Sequence, residues 1–216
     1  MDNSSALLES QIQKLDDKIK ASNFPSDLLE KIESMINLLK ATLRGGNASF
    51  INFETVSNYV NWIISLPFNK ETKDILDLNH AKETLDKNHY GLLSVKNRIL
   101  EYLSSIILSM QNDPTGGIIR APILCLIGLV GTGKTTLAYS VSEALGRKFE
   151  RIPFGGMGDA RAIRGQSRAF ADAEPGSIIK KIVHSQSKNP VILLDELDRV
   201  TENAREIGRA SCRERV

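Results

Sequence analysis

The sequence has little of what marks a secreted, membrane-spanning or nucleic-acid-binding protein. Its two cysteines, Cys125 and Cys212, form no spaced metal cluster, so a reducing compartment, most simply the cytoplasm, fits best. No apolar run reaches the roughly 18 residues of a membrane-spanning helix. The start, Met-Asp-Asn-Ser-Ser, lacks the cationic and apolar segments of a secretory signal. With 28 Lys and Arg against 26 Asp and Glu, the net charge of +2 gives no strong case for a nucleic-acid or membrane partner.

What is present is an ordinary globular composition of 216 residues, 41% hydrophobic and 25% charged, which excludes disordered and collagen-like chains. Near the start, apolar residues recur every three or four positions and predict helices over residues 5–21, from Ser26 to before Gly45, and over 53–65. Three successive amphipathic helices predict a small all-α bundle with these stripes as its core. The residues expected to face that core are Leu7, Leu8, Ile12, Leu15, Ile19, Leu28, Ile32, Met35, Leu39, Val56, Tyr59, Val60, Ile63 and Ile64.

The second part of the sequence has a different pattern. A polar connector over residues 67–74 leads to a helix that starts near Asp77 and to another over 95–108. From residue 118 onward, apolar segments of strand length at 122–127, 148–154 and 190–194 alternate with predicted helices at 134–145 and 177–187. This alternation predicts an α/β domain with a parallel sheet.

Residues 128–135 match the phosphate-binding pattern G-x-x-x-x-G-K-[ST], between a predicted strand and a predicted helix. The glycines allow close approach of the backbone, so loop amides and the helix N-terminus point at the phosphates. Lys134 brings a positive charge to the β- and γ-phosphates, and Thr135 offers its hydroxyl to Mg²⁺. The candidate nucleotide-binding residues are Gly128, Leu129, Val130, Gly131, Thr132, Gly133, Lys134 and Thr135.

Two adjacent acids, Asp195 and Glu196, follow the last apolar strand. Ligands of open α/β sheets bind outside the carboxyl ends of the strands, so these acids are expected at the phosphate site. Two acids alone are usually a solvated helix cap. Here they follow Lys134 after one further predicted strand and helix, and this position favours a role at the phosphate site. Asp195 would hold Mg²⁺ through its water shell, and Glu196 would polarise the attacking water. The expected cofactors are therefore ATP and Mg²⁺, whereas Asp198 is interpreted as an exposed cap or a salt-bridge residue.

Two other segments carry weaker signals. The glycine-rich stretch 155–158 lacks the lysine and spacing of a second phosphate loop and is interpreted as a mobile connector. Arg161, Arg164 and Arg168 would place three cations on one helical face. Without interleaved aromatics or a large net charge, that face is expected to meet solvent or another subunit rather than nucleic acid.

Residues 78–198 resemble the ATPase domain of Lon proteases, a family of the AAA+ class. Beyond the phosphate loop, the resemblance rests on segments at 88–92 (Asn-His-Tyr-Gly-Leu), 95–102, 144–149, 151–152, 163–165, 175–176 and 188–191. Upstream, 59–62 (Tyr-Val-Asn-Trp) and 66–67 (Leu-Pro) resemble the end of the family's helical bundle. The resemblance covers roughly residues 10–200. It implies an α/β P-loop AAA+ domain, with a truncated parallel sheet and flanking helices, preceded by an all-α helical bundle.

The resemblance also implies a function. In Lon enzymes, rings that are usually hexamers hydrolyse ATP to drive unfolded or misfolded proteins through a pore into a serine–lysine peptidase chamber. It places Tyr90 and Gly91 near the adenine. It places Phe170 and Ala171 in the substrate pore loop, where the family has Tyr, an aliphatic residue and Gly. Leu129 and Val130 replace the family's Pro-Pro, but backbone amides make the phosphate contacts, so nucleotide binding is expected to be retained.

The implied domain organisation is a helical bundle over 1–66, a linker over 67–77, a partial AAA+ ATPase domain over 78–205 and a non-native tail over 206–216. The tail departs from the family and back-translates onto a common sequencing-adapter read, so Cys212 is set aside. The full-length parent is expected to be an ATP-dependent serine endopeptidase whose peptidase residues are absent here. One alternative is a AAA+ nucleic-acid remodelling ATPase, which the net charge and the segment around Tyr90 disfavour. Another is a nucleotide-binding fragment without turnover.

Overall fold

The computed structural model describes residues 3–20, 24–44, 50–112, 123–157, 159, 161–167, 170 and 173–199. These residues form two compact units. One draws on the described residues within Met1–Lys70 and Gly156–Lys188 and on Arg199, and the other on those within Glu71–Gly155 and Asn189–Asp198. Several sequence-based predictions lie outside the described residues, namely those on the side chains of Leu7 and Leu8, on Gly158, Arg168, Ala171 and Cys212, and on the tail 206–216.

Within the described residues, the chain forms eight α-helices and two strands. The helices are α1 (Asn3–Lys20), α2 (Ser26–Arg44), α3 (Phe50–Ser65), α4 (Leu78–Asn88), α5 (Leu93–Asn112), α6 (Lys134–Leu145), α7 (Arg161–Arg164) and α8 (Ser177–Ser185). The strands are β1 (Phe149–Pro153) and β2 (Val191–Asp195), and a 3₁₀ turn, Leu197–Arg199, follows β2. None of the described helices is both long and apolar enough to cross a membrane.

In the first unit, α1, α2 and α3 pack around one apolar core, as the spacing of their apolar residues predicts. The buried side chains of this core are Ile12, Leu15, Ile19, Ile32, Ile36, Leu39, Val60 and Ile63. On α2 the apolar spacing predicts Met35 as a core residue, but Ile36 is the buried residue and Met35 is only half-buried. The two are neighbours on the helix, and tertiary packing decides which one faces inward.

Gly176, just before α8 in the first unit, occupies a site that no other residue fits. A Cβ on Gly176 would lie 1.7 Å from the Ile163 carbonyl oxygen. The close approach joins the end of α7 to the start of α8, where Gly165 forms an antiparallel bridge with Pro175. The short segments that resemble the Lon family at 163–165 and 175–176 therefore meet in space.

The second unit contains a parallel two-stranded sheet and the helices α4, α5 and α6. The register places Phe149 opposite Val191 and Pro153 opposite Asp195. The helices share an apolar core, against which Leu124, Leu126 and Val191 pack with partial burial. The predicted parallel sheet is therefore confirmed for these two strands, although β2 is half-buried rather than covered on both faces.

The predicted strand at 122–127 is wrong for the part that the structure describes. Residues 123–127 have no regular secondary structure. Leu124 and Leu126 pack toward the core, whereas the residues on either side of them are exposed. The segment therefore has the alternating burial of a strand but lacks the backbone hydrogen bonds of a sheet. A strand requires backbone hydrogen bonds to a neighbour, and in the described residues the sheet consists of β1 and β2 alone. Apolar content alone could not predict that pairing.

Residues 71–77, which the sequence analysis placed in a linker, make specific hydrogen bonds in the second unit. The Asn189 side chain accepts from the Thr72 backbone N–H at 3.0 Å and donates to the Thr72 carbonyl at 2.9 Å. The Arg147 guanidinium contacts both carboxylate oxygens of Asp74, at 2.8 and 2.5 Å. This hydrogen-bonded ion pair raises the pKa of Arg147, so the guanidinium stays charged despite its partial burial.

Candidate nucleotide-binding site

The phosphate-loop motif forms an exposed turn that leads into α6. Gly133 adopts a φ of 81° immediately before α6, in the left-handed region that glycine enters without steric cost. The Lys134 ammonium donates to the carbonyl oxygens of Gly128 and Leu129, at 2.8 and 2.7 Å. Lys134 therefore lies over the turn of its own loop. Helix α6 begins at Lys134, so its unpaired N-terminal amides open toward the same loop.

Thr135 and Asp195, the two predicted Mg²⁺ ligands, are in contact. Thr135 lies in the first turn of α6 and Asp195 ends β2, and the Thr135 hydroxyl donates to Asp195 Oδ2 at 3.3 Å. A carboxylate and a hydroxyl beside a phosphate-binding turn are hard oxygen donors of the kind that Mg²⁺ prefers. The described residues contain no cluster of three His, Cys, Asp or Glu side chains that could hold a metal alone. The donor set thus fits an ion shared with phosphate oxygens.

Glu196, the predicted water-polarising residue, has an unusual backbone conformation. Its φ is +58°, which is uncommon for a residue other than glycine. Its backbone N–H donates to Asp195 Oδ1 at 3.0 Å, which fixes the turn after β2 and orients the carboxylate of Asp195. Such conformations concentrate at functional sites. Asp198 lies in the exposed 3₁₀ turn that follows.

Arg151 is a site residue that the sequence analysis did not select. Its Nε lies 2.8 Å from Asp195 Oδ2, the same oxygen that accepts from Thr135. The signal was present in the strand pattern: Arg151 and Pro153 are two residues apart on β1, so they share a face, and Pro153 pairs with Asp195. Recognising it required the register of the sheet.

The predicted adenine-side residues, Tyr90 and Gly91, lie in a turn attached to α6. His89 Nε2 is 2.9 Å from Ser140 Oγ on that helix, and the Asn88 amide donates to the same hydroxyl at 3.1 Å. Gly91 has a φ of 68°, and Tyr90 is fully exposed to solvent. The turn is therefore fixed at its base while the Tyr90 ring is free to meet a ligand.

Lys96 supports the turn that carries Tyr90, and the sequence pattern did not predict this role. It is only 6% exposed, and its ammonium donates to the His89 carbonyl at 2.6 Å and to Asp86 Oδ1 at 2.8 Å. The contact with Lys96 lowers the pKa of Asp86, so that carboxylate stays charged. A lysine beside the apolar stripe of a predicted helix gives no sign of burial until its partners are known.

Phe170, the predicted pore-loop aromatic, belongs to the first unit. It is 59% exposed, which is incompatible with a buried core aromatic. Its backbone N–H donates to the Ser167 carbonyl at 3.1 Å, so the residue sits in a turn. Its predicted neighbour in the pore loop, Ala171, lies outside the described residues.

The family model described as "ATPase family associated with various cellular activities (AAA)" matches residues 124–215. The chain is 40% identical over 191 residues to a Lon protease of Roseiflexus castenholzii, covering 88% of this chain and 23% of that protein. It is 41% identical over 193 residues to a Lon protease of Elusimicrobium minutum, covering 89% of this chain and 22% of that protein. The chain belongs to the Lon family.

A Lon protease of Clostridioides difficile gives the same result, with 40% identity over 193 residues. Because these matches cover 88–89% of the chain, they leave too few residues unmatched to exclude the helical bundle, and the similarity to Lon proteases extends into it. The chain spans less than a quarter of the length of these relatives, 22–23%. It corresponds to the ATPase portion of a Lon protein with helices before it, which confirms the predicted family and fold class. An AAA+ nucleic-acid remodelling ATPase is not favoured.

Proposed function

We propose that this chain binds ATP together with Mg²⁺ and is the ATPase portion of an ATP-dependent serine protease of the Lon type. The observation that carries the proposal is the contact between Thr135 and Asp195 beside the phosphate loop, because it gathers hydroxyl and carboxylate oxygens where a nucleotide's metal is needed.

In this proposal, the amides of residues 128–135 and the N-terminus of α6 hold the phosphates. Lys134 leaves the carbonyls of Gly128 and Leu129 and places its charge on the β- and γ-phosphates. Thr135 and Asp195 hold Mg²⁺, whose contribution is to neutralise charge on the phosphate oxygens. Glu196 accepts hydrogen bonds from the attacking water and orients it.

Tyr90 and Gly91 complete the proposed site on the side of the base. An exposed aromatic ring on a turn anchored to α6 can stack on adenine without first being uncovered. Because α6 also begins the phosphate site, the anchor would keep the base and phosphate contacts at a fixed spacing. Gly91 contributes the left-handed turn that lets the chain approach a ligand closely.

For the whole protein, we propose a homohexameric cytoplasmic ring that uses ATP hydrolysis to unfold misfolded and regulatory proteins and feed them to a serine peptidase. The Lon relatives support this class of activity. Phe170 and Ala171 are proposed to grip the substrate in the pore, and the exposure of Phe170 supports a role in contacting another chain.

The chain by itself is proposed to bind Mg-ATP weakly with little turnover. An additional arginine that stabilises charge on the transferred phosphate is worth about 10³–10⁵ in rate in other NTPases. We propose that this group comes from parts of the full-length ring outside these 216 residues, so hydrolysis would require the assembled full-length protein.

The proposal is tested by titrating a fluorescent ATP analogue into the purified 216-residue chain, with Mg²⁺ and with EDTA. Binding that Mg²⁺ strengthens is expected, and the absence of nucleotide binding would refute the proposed function. Phosphate release on the same sample should be slow. Turnover near one per second by the isolated chain would refute the requirement for the assembled ring.

A second measurement separates the proposal from the nucleic-acid alternative. A remodelling ATPase should bind DNA with an affinity that falls steeply as salt rises, because each phosphate contact releases counterions. The proposed Lon-type portion should show no such binding, since the net charge of the sequence is only +2.

A further inference from the structure

Both carboxylate oxygens of Asp195 already contact hydrogen-bond donors. Its Oδ1 accepts from the Glu196 backbone N–H at 3.0 Å. Its Oδ2 accepts from the Thr135 hydroxyl at 3.3 Å and meets Arg151 Nε at 2.8 Å. The carboxylate that is proposed to bind Mg²⁺ therefore forms an ion pair with Arg151 through Oδ2, the same oxygen that contacts Thr135.

The sheet register builds this contact. Pro153 on β1 stands opposite Asp195 on β2, and Arg151 lies two residues earlier on the same face of β1. A long side chain can reach a diagonal neighbour on the adjacent strand. The parallel pairing of β1 and β2 therefore brings Arg151 into contact with Asp195.

The two partners differ in how freely they can move. The side chain of Asp195 is 15% exposed and that of Arg151 is 47% exposed. Asp195 is held by the end of its strand and by the Glu196 amide, whereas Arg151 can swing into solvent at small cost. The ion pair is thus a contact that Arg151 can release.

We infer that Arg151 is a positioning residue that occupies Asp195 until a metal–nucleotide complex binds, and that it sets the Mg²⁺ concentration that this binding requires. The inference rests on the proposed function. A divalent cation at Thr135 and Asp195 would lie next to the guanidinium, and like charges repel at this distance. Arg151 must therefore withdraw, and the free energy of its ion pair opposes metal binding.

The test is Arg151→Gln in the full 216-residue chain, with affinity for a fluorescent ATP analogue measured in EDTA and across a Mg²⁺ titration. The Mg²⁺ concentration for half-maximal strengthening should fall about three- to fivefold, as expected for a partly exposed ion pair. Arg151→Lys keeps the charge and should stay close to wild type. Arg98→Gln is the matched control, because it removes another arginine–carboxylate pair, with Glu101, away from the site.

A double-mutant cycle with Asp195→Asn keeps the inference falsifiable. Once Asp195 is an amide, Arg151→Gln should no longer shift the Mg²⁺ requirement. An unchanged or higher Mg²⁺ requirement in Arg151→Gln would overturn the inference while leaving nucleotide binding intact. A wild-type chain that binds no nucleotide would instead overturn the proposed function itself.

Discussion

The Thr135 hydroxyl donates to Asp195 Oδ2 across 3.3 Å, although 60 positions separate the two residues along the chain. One side chain comes from the first turn of α6 and the other from the last residue of β2. The phosphate-binding turn and the carboxyl end of the strand therefore meet at one point, and the first prediction concerns this pair.

Thr135→Val keeps the size of the side chain and removes its hydroxyl. We expect nucleotide binding in EDTA to persist and the strengthening by Mg²⁺ to fall about tenfold, the loss for a hydrogen-bonding partner of a charged group. Titration of a fluorescent ATP analogue measures both. Thr136→Val is the control, because the Thr136 hydroxyl bonds to the Gly133 carbonyl rather than to Asp195. An equal loss in both variants would remove Thr135 from the proposed metal site.

Lys134→Ala should nearly abolish nucleotide binding. The N-terminus of α6 would still attract phosphate, but the β- and γ-phosphates would lose a charged donor, and about 100-fold weaker binding is expected. Lys148→Ala, which removes an exposed lysine next to β1, should leave the affinity unchanged. Equal affinities for wild type and Lys134→Ala would contradict the proposed role.

Lys96→Met should loosen the turn that carries Tyr90. Without its ammonium, the His89 carbonyl loses a 2.6 Å hydrogen bond, and the free energy of unfolding should fall by about 1–3 kcal/mol. The affinity for the ATP analogue should fall more than that for inorganic tripolyphosphate, because only the base side is disturbed. Lys87→Met removes an exposed lysine of α4 and serves as the control. Equal weakening of both ligands would indicate a general loss of structure.

In a full-length parent, Phe170→Ala should spare ATP binding and slow the degradation of folded proteins. An exposed aromatic offers a large contact area to any substrate side chain, and alanine offers almost none. Unstructured peptides require little force and should be cut at nearly the normal rate. Parallel degradation assays on both substrate classes decide the matter, since equal slowing of both would argue against a pore-loop role.

The stability of the helical bundle should fall at acid pH through Asp16. The Lys40 ammonium, 2.9 Å from Asp16 Oδ2, holds the pKa of that carboxyl below its ordinary value of 3.8, against the opposing effect of desolvation. A carboxyl with a depressed folded-state pKa stabilises the fold fully above its unfolded pKa. That contribution disappears as the pH falls through the folded value.

Urea unfolding of wild type and Asp16→Asn between pH 7 and pH 3 measures this effect. The variant should be less stable by about 0.5–1 kcal/mol at pH 7, and the difference should shrink as the pH falls below 3.8. Asp17→Asn is the matched control, because it removes an exposed neighbouring carboxylate that accepts a hydrogen bond from the uncharged Gln13. A constant difference between Asp16→Asn and wild type at every pH would refute the linkage.

Local signals predicted where several of the helices begin or end, although the helix predicted over 177–187 ends at Ser185 and the one predicted over 95–108 spans Leu93–Asn112. Lys134–Leu145 was predicted to the residue, with Gly146 as its cap, and Gly146 indeed takes a φ of 71° and donates to the Glu143 carbonyl. Asp77 was predicted at a helix start, and its side chain accepts from the Asn79 amide. The starts and ends of helices depend on hydrogen bonds between residues two to four positions apart, so the capping residues can be recognised from a short stretch of sequence.

The sequence by itself determined the Lon resemblance, the phosphate-loop motif and the two acids after the last strand, because each is a pattern of neighbouring residues. The tertiary structure alone decided that 123–127 is not a strand, that Lys96 is buried and that Arg151 meets Asp195. Each of these depends on a partner far along the chain. A strand requires another strand, a buried charge requires its acceptors, and the reach of Arg151 depends on the register of β1 and β2.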